Sequence, residues 1–303
     1  MPRRPQIPPA LRGRIFRGGD AVREGLVTRT QLSGKTWRRL FRDVYVEATA
    51  EVDHLTRCAA AVEHLLPEGI LTGVSAAFAY GIPLSATDLV ELLLPAPHGP
   101  VKGVLLHHGP TLADDVRDLA GLRIASPTRA CWDLVRHRPL ADAIVYLDQF
   151  LGRRLVTVAE LEKYAWERAA EAYWQRFLQA TRLADGGAES PGESRGRLML
   201  VTNGVPRPVT QFVITHRGAF IARVDMAWPD YRVALEYDGF EYHSSRSDLA
   251  RDRVRLNQQV LAGWLVIHVT GDRLRRDLPA VVAEVLAALR KRGWPERPHL
   301  SDS

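Results

Sequence analysis

Residues 219–238, AFIARVDMAWPDYRVALEYD, constrain this chain more than any other stretch. Two apolar runs flank Trp228-Pro229-Asp230. Pro229 has no N–H for a central ladder, so the middle is a turn and the flanks are antiparallel strands. On the second strand Val233, Leu235 and Tyr237 share one face, and Arg232, Ala234, Glu236 and Asp238 share the other. Glu236 and Asp238 then point the same way, about 7 Å apart along the strand. Asp225 ends the first strand and, in an antiparallel pair, approaches Glu236. Asp230 belongs to the turn. Three carboxylates therefore gather where a sheet should bury apolar side chains.

Around this unit the texture is that of an α/β layer. LADGGAESPG (183–192) is the clearest linker, with Gly-Gly, Ser, Pro and Gly within ten residues. ESRGRLMLV then reads as a short helix, and QFVITH and AFIARVD as strands about a His216-Arg217-Gly218 hairpin. After the third strand come the helix SDLARDRVRLNQQVLAG, the strand WLVIHV and the helix DLPAVVAEVLAALRKRG. The expected order is α-β-β-β-α-β-α.

Like charges at this spacing repel unless a cation sits among them. Oxygen ligands alone suit Mg²⁺ or Mn²⁺, which lower the pKa of bound water and neutralise charge on a phosphate. Glu193, on the helix after the linker, is placed to point toward the same acids. ESRGRL (193–198), Val224-Asp225, EYDG (236–239), His243 and RDRVRLNQQVLAGW (251–264) together resemble the PD-(D/E)XK nuclease core, and more narrowly the domain family related to the very-short-patch-repair (Vsr) endonucleases. The resemblance implies metal ligation by Asp225 and Glu236, helped by the carbonyl of Tyr237, with Glu193 in support. The lysine of the superfamily, two residues after the second acid, is Asp238 here. Three substitutes stand open: Asp238 as an extra ligand, His243 as proton acceptor or relay, and Arg251 or Arg253 stabilising phosphate charge.

The N-terminal part reads differently. Asp20 is placed to cap a first short helix, and Thr28 with Gln31 has capping-box spacing for a second. A third helix is expected from Ser33. It places Trp37, Leu40 and Phe41 on one face and Lys35, Arg38, Arg39 and Arg42 on the other, followed by the strand RDVYVEA. Three short helices and a strand outline a winged helix-turn-helix, and the basic face suits DNA phosphates. FRGGDAVREGLVTRTQL, WRRLFRDVYV and LTGVSAAFAYGIP resemble the AbiEi-type abortive-infection antitoxins, which implies DNA binding and no catalysis.

The chain has 303 residues, 46% of them apolar, and a formal charge of +6, which suits several domains and an anionic partner. The expected architecture is multidomain α+β and α/β. It comprises a winged helix-turn-helix (1–50), an AbiEi-like middle domain with long helices over 126–151 and 157–183 (51–185), and a restriction-endonuclease-like sandwich with a mixed sheet (186–303). Two widely separated cysteines fit a reducing cytoplasm, and no apolar run is long enough for a membrane span. DNA is the expected partner and RNA a second candidate. The expected function is Mg²⁺- or Mn²⁺-dependent phosphodiester hydrolysis in phage defence or DNA repair. The alternatives are an antitoxin-like regulator with a degenerate nuclease fold, and a toxin–antitoxin fusion.

Overall fold

The computed structural model describes residues 7–83, 89–238 and 246–295, without the side chains of 246–252. The chain is mixed α and β and divides into two compact units, residues 1–137 with 163–177, and residues 138–162 with 178–303. It therefore passes between units three times, where a single boundary at 185/186 is expected from the linker.

The first unit opens with β1 (Phe16–Arg17), α1 (Gly18–Arg23), α2 (Arg29–Leu32), β2 (Trp37–Phe41) and β3 (Val44–Glu47), the strands pairing antiparallel in the order β1-β3-β2. Thr28 caps α2 through the reciprocal bonds its spacing predicts: Gln31 N–H donates to its hydroxyl at 3.2 Å, and its own N–H donates to Gln31 Oε1 at 2.7 Å. The expected third helix is not formed; residues 37–41 are a strand. A register shift between Arg39 and Phe41 is the reason. It buries Trp37, Leu40 and Phe41 and exposes Arg38 and Arg39, so a bulged strand reproduces the i, i+3, i+4 pattern of a helix.

Next come α3 (His54–His64), β4 (Ile70–Leu71), α4 (Gly73–Ala79), β5 (Val90–Leu94), β6 (Val104–His108), β7 (Val116–Leu119), β8 (Leu122–Ala125) and α5 (Pro127–His137). The five strands form one mixed sheet, β6-β5-β4-β8-β7. β7 and β8 carry no strong alternation and were not expected. The helical run expected over 126–151 is two helices, α5 and α6 (Leu140–Gly152), with Pro139 between them. That over 157–183 is α7 (Val158–Glu167) and α8 (Trp174–Leu183). Cys58 and Cys131 are both buried free thiols, and burial pushes Cys58 up to about 12.

The second unit carries α6, α9 (Pro191–Thr202), β9 (Val209–His216), β10 (Ala219–Trp228), β11 (Val233–Asp238), α10 (Arg246–Leu261), β12 (Leu265–Thr270), α11 (Gly271–Arg276) and α12 (Leu278–Lys291). Apart from the short α11, this is the order read from the sequence. The sheet runs β12-β11-β10-β9, with β11 and β12 parallel and the other pairs antiparallel. Arg217 and Gly218 both have positive φ, which gives the two-residue turn of the β9–β10 hairpin the twist such turns favour. One sheet face packs Met226, Trp228, Val233, Leu235 and Ile267 against Leu200 of α9 and Val281, Val285 and Leu289 of α12. The other sets Ile214, Val224, Ala227 and Ala234 with Ala262 and Trp264, at and beyond the end of α10.

A buried ion pair explains why α6 belongs to this unit. Arg197 on α9 donates to Asp148 on α6 at 2.8 Å, Asp148 also accepts the Asp185 N–H at 2.7 Å, and Arg197 reaches the Leu183 carbonyl at 2.7 Å. The segment read as a linker is thereby tied down at its start. Among the described residues no helix is long and apolar enough to cross a membrane.

Candidate functional site in the second unit

The β10–β11 ladder pairs Trp228 with Val233, Ala227 with Ala234 and Met226 with Leu235, and there the backbone pairing ends. One step further, the Asp225 carboxylate takes the place of a strand carbonyl, accepting the Tyr237 N–H at 2.7 Å. Asp225 thus lies inside β10, three residues before its end, and half-buried rather than at the strand terminus.

Gln211 on β9 faces this acid. Its Nε2 donates to Asp225 Oδ1 at 3.3 Å and to Glu193 Oε2 at 3.0 Å. Glu193 stands in the first turn of α9, where its N–H donates to the capping Ser190 hydroxyl at 3.1 Å and its Oε2 also accepts the Glu189 N–H at 2.9 Å. Burial pushes the Glu193 carboxyl up from its ordinary value, with Asp225 adding repulsion. Gln211 has φ 48°, a left-handed conformation uncommon outside glycine, so the backbone is held in a strained form where its amide joins two carboxylates. Nothing in its sequence context singled it out.

Glu236 lies on the sheet face turned to α10. Arg255 donates to its Oε2 at 2.8 Å and Gln259 to its Oε1 at 2.9 Å. These two donors, four residues apart on one helix face, are not the arginines the sequence put forward. Arg253 is on the exposed side of α10, and the Arg251 side chain and His243 lie outside the described residues. Asp238, where a lysine is expected, sits 3.8 Å from His268 Nδ1 on β12, a strand that pairs Glu236 with His268 and Asp238 with Thr270. Lys35, Arg38, Arg39 and Arg42 are all exposed on and beside the β2–β3 hairpin of the first unit. Arg38 there bonds the Ala50 carbonyl, and Arg39 that of Phe41 at 3.1 Å.

Among the described residues no three His, Cys, Asp or Glu side chains are disposed to share an ion. The donor chemistry at Glu193 and Asp225 nevertheless fits a hard divalent cation. Two carboxylates are joined there by a neutral amide that itself carries an oxygen, and neither acid makes a salt bridge among the described residues. Glu236 departs from this, since its carboxylate is already paired with a guanidinium.

No family model matches the chain. It is similar to two proteins of Mycobacterium tuberculosis, Uncharacterized protein MT2308 (strain CDC 1551 / Oshkosh) and Uncharacterized protein Rv2248 (strain ATCC 25618 / H37Rv). Each is 29% identical over 252 residues, covering 82% of this chain and 90% of the relative. A match of that length exceeds either unit alone.

Proposed function

We propose that the second unit hydrolyses phosphodiester bonds in DNA with a bound Mg²⁺ or Mn²⁺, and that the first unit holds the nucleic acid. The observation that carries this reading is the Asp225–Gln211–Glu193 contact at the point where the β10–β11 ladder stops. Acids brought together by strand geometry and left without a cation of their own are what a metal-dependent hydrolase requires. Asp225 and Glu193 would hold the ion, and the ion would supply an acidified water and neutralise phosphate charge. The chain's own part is positional. The Tyr237 N–H fixes Asp225, the Glu189 N–H fixes Glu193, and Asp238, beside His268, would serve as proton acceptor.

The finer architecture is read in the same terms, as a restriction-endonuclease-like sandwich over α9–α12. The N-terminal part is read as a winged helix-turn-helix reduced to α1, α2 and the β2–β3 hairpin. Lys35, Arg38, Arg39 and Arg42 would meet phosphates from the hairpin. RNA is the second candidate substrate, and phage defence or DNA repair in the cytoplasm the setting. One observation favours the non-catalytic alternative, a DNA-binding regulator: Asp238 replaces the lysine, so no side chain of that kind attends the water.

Incubating the full chain with plasmid, linear, mismatched and single-stranded DNA, and with RNA, separates the two readings. The nuclease reading expects cutting with Mg²⁺ or Mn²⁺, none with EDTA, and a loss of about 10²-fold or more in Asp225→Asn and Glu193→Gln. Retained DNA binding with no cutting of any substrate establishes the regulator.

A further inference from the structure

Arg223 and Asp225 are two residues apart on β10 and so lie on one face of that strand. The Arg223 guanidinium makes a bidentate pair with Glu189, Nη1 donating to Oε1 and Nη2 to Oε2, both at 2.8 Å. Glu189 immediately precedes Ser190, the N-cap of α9. Its backbone N–H donates to Glu193 Oε2 at 2.9 Å, the same oxygen that accepts from Gln211, whose amide also donates to Asp225. The bonds close a circuit: from β10 at Arg223, through Glu189 and Glu193 at the start of α9, across Gln211 on β9, and back to β10 at Asp225. The side chains of the pair are 51% and 55% exposed, and an isolated ion pair of that kind adds little to stability. A bidentate fork fixes orientation as well as distance, however, and here it fixes the residue whose N–H holds Glu193.

We propose that Arg223 and Glu189 are positioning residues for Glu193: the pair anchors the start of α9 to β10 and keeps the Glu193 carboxylate turned toward Asp225. The catalytic consequence rests on the nuclease reading, to which the pair adds what holds the two acids face to face. With Glu189 released, the link between them would be the Gln211 amide, whose one nitrogen already serves both. The other role open to an exposed arginine beside the site is direct phosphate contact, but both Nη atoms of Arg223 are engaged by Glu189. The two roles also differ in what Glu189 does. A positioning pair fails when either partner is lost, whereas a phosphate-contacting arginine is freed when its carboxylate is removed.

The test compares Arg223→Ala, Glu189→Ala, the double variant and the charge swap Arg223→Glu with Glu189→Arg, all in the full chain. Hydrogen exchange of the residue 189 amide, followed by NMR without metal or nucleic acid, reads the bond to Glu193. Relative to its intrinsic rate, that amide is expected to exchange about fivefold faster in each single variant, the scale of a half-exposed ion pair. The double variant should be no faster than either single one, and the charge swap should return toward wild type. In DNA cutting with Mg²⁺, kcat is expected to fall about fivefold in both single variants with KM little changed, since Glu193 is misplaced while the nucleic acid is still held. An exchange rate that neither variant alters overturns the proposal, whatever the cutting shows. Lost protection with unchanged kcat overturns it too, as does a loss confined to Arg223→Ala with a raised KM, the pattern of phosphate contact. Wild type that cuts nothing removes the nuclease reading and leaves the exchange rates to decide the positioning role.

Discussion

Each unit contains acids drawn wholly or partly out of solvent, and the two sets are balanced in opposite ways. In the first unit Asp115 and Asp133 meet two guanidiniums. Arg129 bonds Asp133 at 3.0 Å and Asp115 at 3.0 Å, Arg168 bonds Asp115 at 2.8 Å, and the hydroxyls of Tyr164 and Thr72 fill remaining acceptor sites at 2.7 and 2.6 Å. In the second unit Glu193, Asp225 and Glu236 meet one guanidinium and two amides. Burial works against the charge of Asp115 as it does against that of Glu193. The hydrogen bonds from Tyr164 and Leu112 and the two arginines still bring Asp115 below its ordinary value, whereas Glu193 ends above its own. A cluster whose charges and lone pairs are used up is a fastening. A cluster with acids in excess beside a strained residue is the better candidate for a binding place.

The strongest way to break this contrast is to remove a cation from the fastening. Arg129→Leu leaves Asp115 and Asp133 buried with one guanidinium between them, and the first unit is expected to lose about 3–5 kcal/mol in denaturant unfolding. A loss under about 1 kcal/mol would mean that the network contributes little and the contrast is empty. The matching change in the second unit, Asp225→Asn, keeps the acceptor for the Tyr237 N–H and relieves repulsion, so its unfolding free energy is expected to stay within about 1 kcal/mol of wild type. A large destabilisation there would make Asp225 a structural residue.

A smaller effect is expected at Gly192. A methyl group there would meet the Tyr237 ring at 2.6–2.9 Å, and Gly271 crowds the same hydroxyl from the other side. Tyr237 is thus wedged between the starts of α9 and α11, which positions Glu193 relative to Asp225. Gly192→Ala is expected to cost about 1–3 kcal/mol by thermal melting and to disturb Mn²⁺ binding more than Gly99→Ala, an exposed control with open space around the added methyl.

These contrasts also show what a sequence can and cannot disclose. The order of elements in the second unit was legible because β9, β10, β11 and α12 carry clean periodicity and the Trp-Pro-Asp turn punctuates it. Asp225 and Glu236 stood out because acids in apolar strands are costly without a purpose, and Glu193 through the resemblance and its place on the helix after the linker. Gln211, Arg255 and Gln259 were not legible. They are ordinary polar residues whose meaning comes from register across three strands and from the face of α10 turned to the sheet. The β2 strand was misread for a related reason, since a single bulge converted its burial pattern into that of a helix. The supposed linker was invisible as structure because Asp148 and Arg197, which hold it, lie 49 residues apart.

The finest discrimination between the clusters is their response to pH. Asp115 has a folded pKa below its ordinary 3.8, so it contributes stability that is present above 3.8 and lost as pH falls through the lowered folded value. Glu193 has a folded pKa above its ordinary 4.5, so the sign reverses: the folded state holds the proton more tightly, and that contribution is present below 4.5 and fades as pH rises through the elevated value. Acidification from pH 6 toward pH 4 should therefore favour the second unit through Glu193 while leaving the Asp115 cluster unaffected, and only further acid should weaken the first. Glu193 is half-exposed, so its share is small and is read best as a difference between variants. Asp225→Asn removes the repulsion that helps to raise Glu193 and should flatten the pH dependence of second-unit melting between pH 4 and 6, a window bounded by the ordinary carboxylate range. Carbon-13 NMR of the Glu193 carboxyl, titrated in wild type and in Asp225→Asn, checks this directly. A Glu193 midpoint that does not fall on removing Asp225 would show that the two acids do not share a field, and the case for a common cation between them would go with it.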